Sequence, residues 1–166
     1  GKKGDKVLHR TWQALEGSRP ILVEVQALTS QSTLPSPRRV ATGIEFNRLL
    51  LICAVLSRRA GISLANQDIV VNVTGGLRLS EPAVDLGIAL AIVSSLKNIP
   101  VKSNTAACGE IGLNGEIRGV PHLGRRIEEA SRLNFQECLI PASPNIEKNH
   151  LRGFKTTAIE TITQAM

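Results

Sequence analysis

From Thr74 to Ala91 the chain reads Thr-Gly-Gly-Leu-Arg-Leu-Ser-Glu-Pro-Ala-Val-Asp-Leu-Gly-Ile-Ala-Leu-Ala, a polar, glycine-rich turn that passes at Pro82 into an apolar run. Proline lacks an N–H and has a preset φ, so it suits the first turn of a helix. A hydroxyl or thiol at such a helix start becomes a nucleophile when a base stands beside it. Position 83, the small residue expected to be exposed there, is Ala and carries no hydroxyl. Ser80 precedes the proline, and Ser94 and Ser95 fall at the far end of the apolar run. Asp85 is the nearby acid, but the helix dipole alone favours a carboxylate in a first turn, so a structural role is expected. Glu110 and Glu116 could act as paired carboxylates only with a further polar group that the sequence does not supply. Hydrogen-bonded carboxylates on strand or turn positions are expected there instead.

Positive charge is the second chemical feature. Twenty Lys and Arg stand against 14 Asp and Glu, a formal charge of +6. Arginine forks match phosphate geometry, which makes Arg38, Arg39, Arg48, Arg59, Arg78, Arg125 and Arg126 candidates for contacting a nucleic-acid backbone. Arg48 and Arg59 are close to three helical turns apart and should share one face. For any single arginine the ordinary role is a solvated helix face or a salt bridge between subunits. Aromatic residues make up only 2% of the chain, so a base-stacking platform is not expected. Cys53, Cys108 and Cys138 are odd in number, widely spaced and set in apolar runs, as free core thiols in a reducing compartment would be. With no Cys-x-x-Cys pair, and with His9, His122 and His150 isolated, no metal site is expected. No Gly-x-x-x-x-Gly-Lys-Ser/Thr loop is present to hold a nucleotide, and Gly75-Gly76 is better explained by backbone conformation.

The elements that must position these groups alternate between strand and helix. Mixed β-branched and apolar residues predict strands at 20–28, 40–44, 68–73, 106–108, 116–118, 138–140 and 155–158. The longer apolar period predicts helices at 46–60, closed by Gly61, at 82–95, at 125–133 and at the end of the chain. Residues 29–37 are rich in Ser, Thr and Pro and read as a loop. The strands at 106–108 and 116–118 are expected to bracket a turn at 112–115. The fold class is therefore α/β, a mixed sheet packed with helices.

Four stretches carry a family resemblance: 15–28, from Leu-Glu-Gly-Ser-Arg-Pro; 37–50, with Pro-Arg-Arg-Val-Ala-Thr-Gly-Ile-Glu-Phe-Asn-Arg; 75–90; and 109–118, Gly-Glu-Ile-Gly-Leu-Asn-Gly-Glu-Ile-Arg. In these the chain resembles the Lon-protease-like domain of the RadA (Sms) family of DNA-repair ATPases. The resemblance implies the Lon-like, ribosomal-protein-second-domain-like sheet. Active Lon-type peptidases have a Ser after the proline at the helix start and a Lys base further on. Without gaps, these positions fall on Ala83 and Gly124, so both catalytic groups are absent. Arg125 and Arg126 adjoin the second position, but a guanidinium stays protonated and cannot accept the proton.

What the resemblance implies is a non-catalytic module that forms a homohexameric ring and engages DNA without sequence preference. In the family it serves a motor that drives branch migration of recombination intermediates alongside a RecA-type recombinase. ATP, Mg and Zn belong to upstream domains, and no cofactor is expected in this one. The alternative is a peptidase on the Lon plan with a displaced nucleophile, for which Ser80, Ser94 or Ser95 lacks a partner Lys. A Lon-like domain of the magnesium-chelatase-related competence helicases shares the fold but fits the run at 38–43 poorly. The 166 residues, 42% hydrophobic, can bury one core. The expected organisation is a linker or cloning remnant at 1–14 and one domain at 15–166. No run approaches the roughly 18 apolar residues of a membrane helix. The charged start lacks a signal core. The expected location is a bacterial cytoplasm or a plastid stroma.

Overall fold

A computed structural model describes residues 7–12, 22–75, 82–100, 104–142 and 154–166, with side chains from residue 22 onward. In chain order the elements are β1 (Val7–Trp12), β2 (Leu22–Gln31), β3 (Arg39–Thr42), α1 (Phe46–Arg59), β4 (Gln67–Thr74), α2 (Asp85–Lys97), β5 (Thr105–Ala107), β6 (Glu110–Ile111), β7 (Ile117–Arg118), α3 (Leu123–Arg132), β8 (Glu137–Pro141) and β9 (Lys155–Ile159). Short 3-10 turns cover Pro82–Val84 and Ile162–Ala165. Seven strands form one mixed sheet in the order β3-β4-β2-β1-β5-β8-β9, and β6 and β7 pair as a separate hairpin.

The sheet has an antiparallel part and a parallel part, joined by β1. On one side β1 runs antiparallel to β2 with Val7 opposite Ala27, and on the other it runs parallel to β5 with Arg10 opposite Ala106. Residues 7–12 therefore pair within the sheet and are not part of the linker expected over 1–14, of which residues 1–6, 13 and 14 lie outside the described residues. The strand is hard to see in sequence because its charged flank resembles a tail. One of its partners also lies about 95 residues away in the chain. Strand β2 continues to Gln31, three residues into the expected loop, because Thr29, Ser30 and Gln31 pair with Ile69, Asp68 and Gln67. The turn at 112–115 is bracketed by β6 and β7, whereas Thr105–Ala107 belongs to the main sheet, so the expectation that the strand at 106–108 brackets this turn is corrected.

Side-chain alternation divides the core between the two faces of the sheet. Val23, Val25, Ile69, Val71 and Ala107 face α1 and α2, while Ala106, Cys138 and Ile140 face Ile127 and Ala130 of α3. Helix α2 is apolar on every side and is buried continuously from Asp85 to Val93, as a helix enclosed by sheet and neighbouring helix must be. Burying each of Leu86, Ile88 and Ile92 contributes about 1.5–3 kcal/mol relative to exposure. It ends at Asn98, whose left-handed backbone (φ 53°) directs its N–H to the Ser94 and Ser95 carbonyls. The expected final helix is only the 3-10 turn Ile162–Ala165, tied to the hairpin by the Ile162 N–H donating to Gly115 O. Cys53, Cys108 and Cys138 are buried and free, as expected. Among the described residues no helix is long and apolar enough to cross a membrane.

Candidate functional site

The junction at Pro82 begins with the 3-10 turn Pro82–Val84 before α2 proper starts at Asp85. Two backbone hydrogen bonds hold it to the segment that follows β5: Gly109 N–H donates to Ala83 O (3.0 Å), and Leu86 N–H donates to Gly109 O (3.1 Å). This close approach needs a glycine, since a Cβ at position 109 would meet Ile117 Cγ2 at 2.7 Å and Leu86 Cβ at 3.5 Å. Ala83 is only 1% exposed. That corrects the expectation of an exposed residue: the two backbone bonds draw the helix start against the chain around Gly109. A side chain there faces packed protein.

Beside this junction Asp85 is fully buried and holds Arg48 of α1 as a two-pronged ion pair, Nε to Oδ1 and Nη2 to Oδ2, each at 2.5 Å. Its Oδ2 also accepts the Ile111 N–H of β6 at 3.0 Å. One carboxylate therefore ties α1, α2 and the hairpin together, the structural role expected of it. Burial pushes the Asp85 carboxyl up, opposed by the Arg48 hydrogen bond and the Ile111 N–H. The Arg48 guanidinium is pushed up, chiefly by its hydrogen bond to Asp85, against its own desolvation. The two shifts favour opposite states of the pair, since the carboxylate has lost all its water while the guanidinium keeps an edge in solvent. Three N–H donors converging on one carboxylate fit the ionised pair.

Arg48 is thus engaged by Asp85, and the 37-residue separation between them left no local signal of the pairing. Arg59, at the other end of α1, donates to Leu113 O (3.3 Å) and Asn114 Oδ1 (3.2 Å) while remaining exposed. Arg39 donates from Nη2 to Leu64 O at 2.9 Å and from Nη1 to Gln67 O, so it braces the segment between α1 and β4. Arg38 is exposed, and its N–H donates to Asp68 Oδ1 at 2.7 Å. That bond is the first cause holding the Asp68 carboxyl below the usual carboxylate range.

On α3 the two neighbours differ. Arg125 is exposed, but Arg126 is 0% exposed and donates from Nε to Pro121 O at 2.8 Å. Arg126 is corrected from a surface cation to a buried structural residue, because it falls on the helix face shared with Ile127 and Ala130. Gly124 is exposed on α3, with open space around an added Cβ. Arg78 lies outside the described residues. The candidate arginines do not form one patch, since α1 and α3 cover opposite faces of the sheet. Glu116 is a turn residue, as expected: its Oε1 accepts the Asn114 N–H at 3.1 Å, and Arg118 stands 3.5 Å from Oε2. Among the described residues no three His, Cys, Asp or Glu side chains gather to hold a metal ion.

A mixed α/β domain with a helix start fixed in this way is the class that comparison with known proteins must fit. The chain belongs to the family described as subunit ChlI of Mg-chelatase, whose model matches residues 20–144. Its relatives specify this further. It is 50% identical over 128 residues to the DNA repair protein RadA of Halalkalibacterium halodurans, covering 77% of this chain and 28% of that protein. It is 43% identical over 151 residues to the DNA repair protein RadA of Escherichia coli, covering 91% of this chain and 33% of that protein. To the DNA repair protein RadA of Bacillus subtilis it is 41% identical over 153 residues, covering 92% and 33%. The chain spans about a third of the length of the relatives it matches and corresponds to their C-terminal part.

Proposed function

We propose that this chain is the non-catalytic, Lon-like assembly and DNA-engagement domain of a RadA-type DNA-repair ATPase. The observation that carries the reading is the Pro82–Asp85 junction within a chain that is 40–50% identical to RadA proteins. Where a Lon-type peptidase would present its nucleophile there is a buried alanine, with its carbonyl committed to Gly109 and the adjacent acid committed to Arg48. A glycine stands where the lysine base would be. The displaced-nucleophile peptidase gains no support: Ser95 Oγ accepts the Thr29 N–H and contacts Thr29 Oγ1 inside the core.

In this reading the domain forms a closed ring, six-membered by family resemblance, through head-to-tail contacts between copies. The exposed guanidiniums of Arg38, Arg59 and Arg125, which lie on different faces of the domain, are the candidate contacts to DNA phosphates. Nucleotide, magnesium and zinc act in other parts of the full-length protein, where branch migration with a RecA-type recombinase takes place.

Two measurements test it. Light scattering should give a mass several times the 17.8 kDa of one chain. Incubation with unfolded protein and fluorogenic peptides should give no turnover, and Ala83→Ser should not create any. A monomer throughout the micromolar range removes the ring. Turnover that scales with protein and vanishes on replacing a single serine restores the peptidase.

A further inference from the structure

Two apolar surfaces lie on opposite sides of the same layer, and nothing in the chain covers either. On the sheet face away from α1 and α2, α3 packs over β5 and β8, while β2, β4 and β3 stay open. There Leu28, Val70 and Val40 stand side by side across three strands, since Val70 is in register with both of the others. They are 37%, 38% and 43% exposed. The second surface is the outer side of α1. Leu49, Ile52, Val55 and Leu56 turn inward, and Phe46, Leu50 and Ala54, four residues apart, form an exposed ridge that ends in Arg58. A hollow of about 570 Å³ lies between Leu50, Ala54 and the loop at 61–65, open to any facing surface.

The two surfaces suit each other. Contiguous exposed apolar patches mark contact sites, and a helix laid on β2, β4 and β3 would continue the layer that α3 begins. Among the described helices α1 alone offers an apolar ridge outward, since α2 is enclosed and the outer side of α3 carries Arg125, Glu128 and Arg132. The open face has a carboxylate towards each end, Glu24 and Asp68, and Arg58 has no ion-pair partner among the described residues. Ridge and face cannot meet within one chain, because the sheet itself separates them. Between copies their contact is head-to-tail. We infer that α1 of one copy packs on the open β2-β4-β3 face of the next, with Phe46, Leu50 and Ala54 against Leu28, Val70 and Val40. This rests on the reading that copies assemble, and names the surfaces that meet. Three strands about 4.8 Å apart, over about seven residues of about 3.4 Å, give a footprint of roughly 300 Å². Each partner of a stable pair buries about 800 Å². A single contact is therefore weak, and a closed arrangement, in which every copy uses both surfaces, holds together.

The test uses the whole 166-residue chain. Val70→Arg on the sheet face and Leu50→Glu on the ridge should each lower the light-scattering mass from the assembled value to 17.8 kDa. The urea midpoint should stay unchanged, because both side chains are at the surface. Cross-linking then reads the pairing. Chains carrying Val70→Cys and chains carrying Leu50→Cys, mixed, left to exchange and treated briefly with a short bis-maleimide, should give a dimer of one of each. Neither should cross-link alone, since the three native cysteines are buried. The inference by itself is overturned if either charged variant keeps the assembled mass, or if Val70→Cys chains cross-link to one another as readily as to Leu50→Cys chains, the sign of a two-fold contact. A wild-type chain that is monomeric throughout the micromolar range overturns it together with the ring.

Discussion

The most consequential residue is Asp85, a buried carboxylate that lets three elements meet. Replacing Arg48 by Met leaves that charge without its partner, and breaking a buried pair in this way costs about 3–5 kcal/mol. The double variant Arg48→Met with Asp85→Leu removes both charges and should recover much of the loss in urea unfolding. Recovery of nothing would show that the carboxylate matters for more than its charge. The neighbouring arginines of α3 make a sharper comparison. Arg125→Ala should change stability by no more than about 0.5 kcal/mol, as exposed substitutions do. Arg126→Ala strips a buried charged donor from Pro121 O and should cost about 1.5–3 kcal/mol. Cys53 has a thiol that burial pushes up against the opposing pull of Arg39, so it stays protonated at neutral pH. Iodoacetamide should label it only as the protein unfolds, and rapid labelling of the native chain would contradict its placement in the core.

At the scale of elements, a close approach of backbone to backbone sets the turn before α1 against β4. Gly43 has φ +84°, and a Cβ there would lie 2.1 Å from Val73 O, so Gly43→Ala must displace β4 or the turn before α1. It should cost more than the roughly 1 kcal/mol of an ordinary glycine effect, measured as a lower urea midpoint at unchanged slope. Much of this level was legible in the chain. The helix at 46–60 with its closing Gly61, the strands at 68–73 and 138–140, and the break at Pro82 follow from local period and from residues with special backbone demands. The pairing of Arg48 with Asp85, the burial of Ala83 and the place of β1 depend on partners distant in sequence. Nothing in local spacing records them. Arg126 was the harder case, because two adjacent arginines look equivalent until the helix phase is fixed: Ile127 and Ala130 carry Arg126 inward and leave Arg125 outside.

For the whole molecule, β1 holds the two parts of the sheet together, so deleting residues 1–12 should abolish cooperative unfolding rather than trim a tail. The proposed role rests on the assembled domain meeting DNA phosphates through the exposed guanidiniums of Arg38, Arg59 and Arg125, with Arg126 buried and Arg48 paired to Asp85. Each phosphate neutralised on duplex DNA adds roughly −0.9 to the slope of log K against log salt, and a ring of copies adds avidity. Fluorescence anisotropy of labelled oligonucleotides of different sequence, titrated with the oligomer at several salt concentrations, tests this most directly. The account predicts weak binding that is indifferent to sequence and steeply salt-dependent, with a flatter slope for the Arg38→Gln, Arg125→Gln variant at unchanged stability. No binding by the oligomer at low salt, or a slope that these substitutions leave unchanged, would contradict it.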